Sequence, residues 1–305
     1  MSKYQDELTL AINIVKKASK ITEWFKSHGF QSYKKKDKSP VTLADFASQI
    51  FILSQLKEKF YEDQIFAEEE SSLFSNDIEV LIKKCFIDNN LKLNEEFSSL
   101  LNYRGPQSSR QWIVDPIDGT KGYLRGLSYA VGIGLMENSE PKICAIGVPN
   151  YRNEELTIFI AEQGKGAQAS YGDNEFIPIH VSHVNNLSSS VMCQSLHHNK
   201  QWINKFAEMI GVKRVISMDG MGKFCMIADG SADFYVREMN LDYSFSWDYM
   251  PGDLLVREAG GTITDLNYKR LNFKEDKCKW TAPGLIASNG ILHDDIISNI
   301  KKLTQ

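Results

Sequence analysis

Apolar residues recur at three- and four-residue spacing near the start of the chain. Leu8, Ala11, Ile12, Val15, Ala18 and Ile21 follow a helical period, which predicts an amphipathic helix that Gly29 can stop. A second set, Phe46, Ile50, Leu53 and Leu56, predicts another helix, capped by Thr42 or Ser39. The pattern then shortens. Apolar runs at 64–67, 112–114, 129–136, 143–148 and 156–161 predict strands, and the polar stretch 77–101 predicts a helical excursion between two of them. Past residue 182 the pattern alternates. Residues 191–194 and 232–237 read as extended, 201–210 and 249–259 as helical, and 285–288 and 292–302 as a closing strand and helix. This predicts an α+β half, residues 1–182, followed by an α/β half, residues 183–305, packed together without a Pro-rich linker.

Composition narrows the class. The chain has 305 residues, 42% hydrophobic and 24% charged, which fits a soluble globular protein and excludes disordered or collagen-like chains. No apolar run approaches the ~18 residues of a spanning helix, and the first seven residues are polar, so a cytoplasmic location is expected. With 35 basic against 39 acidic residues, the net charge of −4 gives no general attraction to nucleic acid or anionic lipid. The five cysteines (Cys85, Cys144, Cys193, Cys225 and Cys278) are scattered without a C-x-x-C pair, which reads as buried thiols. The six histidines form no H-E-x-x-H pattern, so any metal here must be held by carboxylates. The basic run at 33–38 reads as a solvated loop.

The densest chemistry is Trp112-Ile113-Val114-Asp115-Pro116-Ile117-Asp118-Gly119-Thr120-Lys121-Gly122. Two aspartates follow an apolar strand and precede a Gly-Thr turn, so both can project into one pocket. Pro116 stiffens the bend and Gly119 permits a close backbone approach to a ligand. A helix opening at Gly119-Thr120 would add free N–H groups for an anion. Hard oxygen ligands beside a phosphate cradle suit a metal-dependent phosphatase, while the plainer alternative is an Asp-rich surface turn. Glu68-Glu69-Glu70 also sits at a strand end, as a metal site or a solvated loop. Asp45 reads as a ligand-side group or a surface charge, and Asp248 as a pocket residue or a plain N-cap.

These segments occur in the order and approximate spacing of the inositol monophosphatase superfamily: Ser39-Pro40-Val41-Thr42-Leu43-Ala44-Asp45, Glu69-Glu70-Ser71, Asp115 to Thr120, and Trp247-Asp248 through Gly252 to Glu258-Ala259-Gly260-Gly261. The chain resembles that superfamily from about residue 5 to residue 290. Within it, Asp118-Gly119-Thr120-Lys121-Gly122-Tyr123-Leu124-Arg125-Gly126, the long segment 71–110, and Ser217-Met218-Asp219 with Lys223-Phe224-Cys225 are similar to 3'(2'),5'-bisphosphate nucleotidases.

The resemblance implies a layered αβαβα fold and a lithium-sensitive, magnesium-dependent phosphatase whose partner is a small molecule, adenosine 3',5'-bisphosphate. It implies that Glu69, Asp115, Asp118 and Asp248, with the Ile117 carbonyl, hold two to three magnesium ions. Thr120, paired with Asp45, would activate the attacking water. Gly119, Thr120, Lys121, Lys223 and Arg237 would bind substrate, and one of His197 and His198 would contact the base. Three positions depart from the pattern. Gly220 replaces a serine, Pro251 an alanine, and Glu68 a glycine, which leaves a choice between neighbouring glutamates. Two competing readings remain: the same chemistry on an inositol phosphate, and a non-catalytic nucleotide-binding scaffold.

Overall fold

The computed structural model describes residues 3–29, 32–35, 40–93, 95–197, 200–239, 244–273 and 282–304. Its first helix, α1 (Gln5–His28), ends at Gly29 in a positive-φ conformation. A short ladder of β1 (Ser32–Lys34) and β2 (Pro40–Thr42) leads into α2 (Leu43–Lys59). Thr42, not Ser39, caps α2. Its hydroxyl accepts from the Ala44 and Asp45 N–H groups, while Asp45 accepts from the Thr42 N–H in return. Then come β3 (Gln64–Ala67), α3 (Asn76–Asp88), α4 (Phe97–Leu101), β4 (Arg110–Asp118), α5 (Thr120–Leu124), β5 (Ala130–Glu137), β6 (Glu140–Pro149), β7 (Leu156–Glu162), β8 (Gly166–Tyr171) and β9 (Ile177–Ile179). These form a sheet in the order β3-β4-β5-β6-β7-β8-β9, parallel at β3/β4 and antiparallel beyond.

The rest of the chain supplies β10 (Val191–Gln194), α6 (Gln201–Ile210), β11 (Arg214–Ser217), α7 (Gly222–Ala228), β12 (Phe234–Glu238), α8 (Met250–Glu258), β13 (Thr262–Asp265), β14 (Gly284–Ser288) and α9 (His293–Thr304). Its sheet runs β11-β10-β12-β14-β13. Helices α1 and α2 cover the outer face of the first sheet, α7 and α8 lie between the sheets, and α6 and α9 cover the second sheet's far face. The layers are therefore αβαβα, as the resemblance implied.

Strand β5 shows how the layers are keyed together. Val131, Ile133 and Leu135 point into the core beneath α1 and α2, and Gly132 and Gly134 alternate with them toward α7 and α8. A Cβ at Gly132 would strike the Met221 methyl at 2.2 Å, and one at Gly134 the Met250 methyl at 2.5 Å. Only glycine leaves room for these thioethers.

Several elements went unread in the sequence, among them β1, β2, β8, β9, β11, β13 and α7. The aspartates of the central motif also lie within β4, not after it. The ladder to β5 skips between the pairs Asp115–Gly132 and Asp118–Ala130, so Pro116 and Ile117 form an irregularity inside the strand.

Candidate functional site

The skip in β4 brings Asp115 and Asp118 to one side, and the turn before α8 adds Asp248. One ligand oxygen of each lies within 4.8 Å of the other two. Asp115 is 1% exposed. Its Oδ1 accepts from the Ile117 N–H at 3.2 Å, while its Oδ2 has no hydrogen-bond partner. Asp248 is not the N-cap of α8, a place Tyr249 takes; it closes the 3-10 turn 246–248 by accepting from the Phe245 N–H at 3.3 Å. Pro251 sits in the first turn of α8 without breaking it. Asp45 is fully buried, so the surface-charge alternative is removed. Its Oδ2 holds the Thr42 N–H and hydroxyl at 2.7 Å, and its Oδ1 faces the Thr120 hydroxyl at 3.4 Å. Thr120 Oγ1 also donates to the Ile117 carbonyl at 3.2 Å.

The acidic triplet divides its work. Glu68 lines the cavity with the aspartates, whereas Glu69 is buried beside it, 2.5 Å from Lys35, which also reaches Glu68 at 2.7 Å. Lys35 is therefore an ion-pairing residue, which corrects the solvated-loop expectation there; Lys36 to Lys38 lie outside the described residues.

The cavity of about 480 Å³ is lined by Asp115, Asp118 and Asp248, by Lys223, Tyr235 and Arg237, and by Gly119, Thr120, Lys121 and His197. Lys223 is 3% exposed and donates to the carbonyls of Met218 at 3.1 Å and Gly220 at 2.7 Å. Asp219, which the sequence reading gave no role of its own, grips His197 Nδ1 at 2.6 Å, and His197 Nε2 lies 2.6 Å from Arg125. His198 lies outside the described residues. A Cβ at Gly119 would crowd Gly220 and Asp219, and φ is +96°, so the chain's own packing calls for glycine here, while Gly119 also lines the cavity. At Gly220, φ is +68° and a Cβ would meet the Asp118 carbonyl at 2.4 Å, so this backbone excludes the serine usual there.

Comparison with known proteins agrees with this arrangement. The Inositol monophosphatase family matches residues 4–305. The chain belongs to the inositol monophosphatase family. It is 30% identical to a 3'(2'),5'-bisphosphate nucleotidase of Emericella nidulans, covering 98% of this chain and 99% of that one. A protein of the same name from Dictyostelium discoideum is 32% identical, with 89% and 88% covered. Among solved structures, Thermotoga maritima IMPase superposes with a TM-score of 0.72 at 22% identity over 98% of both chains, a likeness of fold.

Electrostatically, this member of the family concentrates uncompensated charge in its cavity. Burial, then Glu68, Asp118 and Asp248, hold the Asp115 carboxyl well above the usual carboxylate range. Burial pushes Asp118 up to about 6 against the pull of Lys223 and Arg237, and pushes Asp248 to about 8 with Asp118 and Glu68 adding to the rise. Asp45 is raised by burial to about 7, opposed by its bonds to Thr42. Buried Glu69 is likewise held well above its ordinary value. In the same cavity, burial lowers Lys223 to about 8 despite Asp118 nearby. An all-oxygen donor set with an orphaned Asp115 Oδ2 and crowded like charge fits a hard divalent cation. Asp115, Asp118 and Asp248 can hold it.

Proposed function

We propose that the chain is a magnesium-dependent phosphatase that removes the 3'-phosphate of adenosine 3',5'-bisphosphate. One observation carries this reading: a single cavity is lined both by a carboxylate trio and by two cations, Lys223 and Arg237. A substrate with two phosphates matches both sets of groups. The names of the Emericella nidulans and Dictyostelium discoideum relatives support the same substrate class.

In this reading residues 1–182 bring Asp45, Asp115, Asp118 and Thr120, and residues 183–305 bring Asp248 and the two cations. Asp115, Asp118 and Asp248, with the Ile117 carbonyl and a glutamate of the 68–69 pair, hold two to three magnesium ions. Bound magnesium supplies Lewis-acid stabilisation of phosphate charge and lowers the pKa of water toward 7. Thr120 Oγ1 orients the attacking water, and Asp45, buried beside it and raised to about 7, takes its proton. Lys121, Lys223 and Arg237 bind the second phosphate, and His197, held through Nδ1 by Asp219 and through Nε2 by Arg125, lies on the nucleoside side with that guanidinium.

The test is phosphate release from adenosine 3',5'-bisphosphate and from inositol 1-phosphate, with magnesium and then with EDTA. Magnesium-dependent release from the nucleotide alone is expected. Release from inositol 1-phosphate alone would keep the carboxylate chemistry and remove Lys223 and Arg237 as readers of a second phosphate. No release from either substrate would leave a binding scaffold.

A further inference from the structure

Tyr235 lies on β12 between two flanking strands, β10 and β14. Its side chain is 1% exposed, yet it lines the cavity. The ring is fixed from two sides. Phe224 meets it edge-on at 5.9 Å between centroids, and the Lys223 ammonium lies 5.3 Å from its centre. Arg237 follows two residues along the same strand and so shares its face. Despite this company the Tyr235 hydroxyl has no acceptor for its proton: the one polar group that reaches it is the Arg237 guanidinium, which can only donate.

The reason lies in the neighbours' chemistry. Lys223 and Arg237 are donors only, and neither can accept the tyrosine proton. Buried hydroxyls are nearly always paired, because an unmade hydrogen bond in a dry site is costly. Lys223 commits two of its three N–H groups to the Met218 and Gly220 carbonyls and has one left. Arg237 forms no ion pair among the described residues. A neutral O–H without an acceptor and two cations with spare donors therefore line one cavity. A neutral hydroxyl from a ligand could satisfy only one of these donors. A phosphate monoester oxyanion satisfies all three.

We propose that the Tyr235 hydroxyl is a substrate-contacting, specificity-determining residue: the third donor, beside Lys223 and Arg237, to the second phosphate of the substrate. This rests on the bisphosphate reading of the cavity. The tyrosine adds a hydrogen bond whose direction is set by a packed ring, so it discriminates where a flexible ammonium only attracts.

Tyr235→Phe isolates the hydroxyl, since the ring contacts to Phe224 and Lys223 survive. The experiment compares wild type and variant, with saturating magnesium, on adenosine 3',5'-bisphosphate and on adenosine 3'-phosphate, which lacks the second phosphate. Inhibition by adenosine 5'-phosphate, which has only that phosphate, is measured alongside. In the variant, KM for the bisphosphate and Ki for adenosine 5'-phosphate rise together by about tenfold, the size of one charge-assisted hydrogen bond. The kcat and the KM for adenosine 3'-phosphate stay as in wild type, and the melting temperature of the ligand-free variant holds or rises because a buried hydroxyl without an acceptor has gone. An unchanged bisphosphate KM, or an equal rise for both substrates, would overturn the role of Tyr235. If wild-type enzyme itself shows no preference for the bisphosphate over adenosine 3'-phosphate, the bisphosphate reading fails and this inference falls with it. A preserved wild-type preference with an inert Tyr235→Phe change removes the tyrosine alone.

Discussion

Two buried aspartates stand near opposite ends of β4 and have opposite fates. Asp63, 4% exposed, lies beside the strand's first residues. Its Oδ1 accepts from Arg110 Nε at 2.9 Å, and its Oδ2 accepts from Arg110 Nη2 at 3.2 Å and from the Trp112 indole at 2.9 Å. Arg110 in turn reaches Glu7 on α1 at 2.8 Å. Every oxygen and charge there has a protein partner. Asp115, 1% exposed, has one oxygen bonded to a backbone N–H and the other bonded to nothing, among carboxylates. Burial is common to both. What separates a fastening from a reactive site is whether the charge is compensated within the chain.

The largest effect that sharpens this contrast belongs to Asp118→Asn. Its kcat should fall on the order of a thousandfold or more, while the melting temperature in EDTA holds or rises because one like charge has gone. A variant with near-wild-type turnover would take Asp118 out of the site. Asp63→Ala should do the reverse. Leaving the Trp112 indole unpaired and Arg110 with Glu7 but without its bidentate partner costs about 2–3 kcal/mol, a loss of roughly 5–10 °C in melting temperature for a chain of this size, with kcat of the folded enzyme unchanged. Lost turnover at full stability would break the comparison.

The smallest effect is a pH slope. Asp118, Asp45 and Asp248 bind protons more tightly folded than unfolded, at about 6, 7 and 8. Their contribution to stability is complete at low pH and is lost as pH rises through those values. In EDTA the melting temperature should therefore drop by a few degrees between about pH 5.5 and 7.5, below the range where Lys223 titrates at about 8. Magnesium, or the Asp118→Asn change, should flatten the slope. A slope that magnesium leaves unchanged would assign the titration to groups other than Asp118 and Asp248.

How much of this was legible beforehand follows from chain distance. Asp115, Asp118, Gly119 and Thr120 lie within six residues, so their nearness was legible, though the irregularity in β4 that turns both aspartates to one side was not; the long periods of α1 and α2 declare themselves. Asp248 and Asp45 became legible only through the family resemblance, since each alone reads equally well as a cap or a surface charge. Helix α7, Gly222–Ala228, has seven residues that are all buried, so it has no polar face to give it a period. Strand β11 is the converse, four mostly exposed residues with no apolar run. The choice between Glu68 and Glu69 depends on which side chain Lys35 draws inward, a pairing across 34 residues that local pattern cannot contain. Tyr235 reads from sequence as one more apolar strand residue; only its hydroxyl, which lacks an acceptor, marks it.

The thioethers of Met221 and Met250 that fill the hollows over Gly132 and Gly134 have a bearing on the chemistry. Gly132 is the cross-strand partner of Asp115, and Met250 lies two residues past Asp248. The gap between carboxylates from different layers is thus gauged by two methyl groups acting as spacers. A shorter or bulkier side chain in place of either spacer is expected to change the separation of these carboxylates without altering one of them.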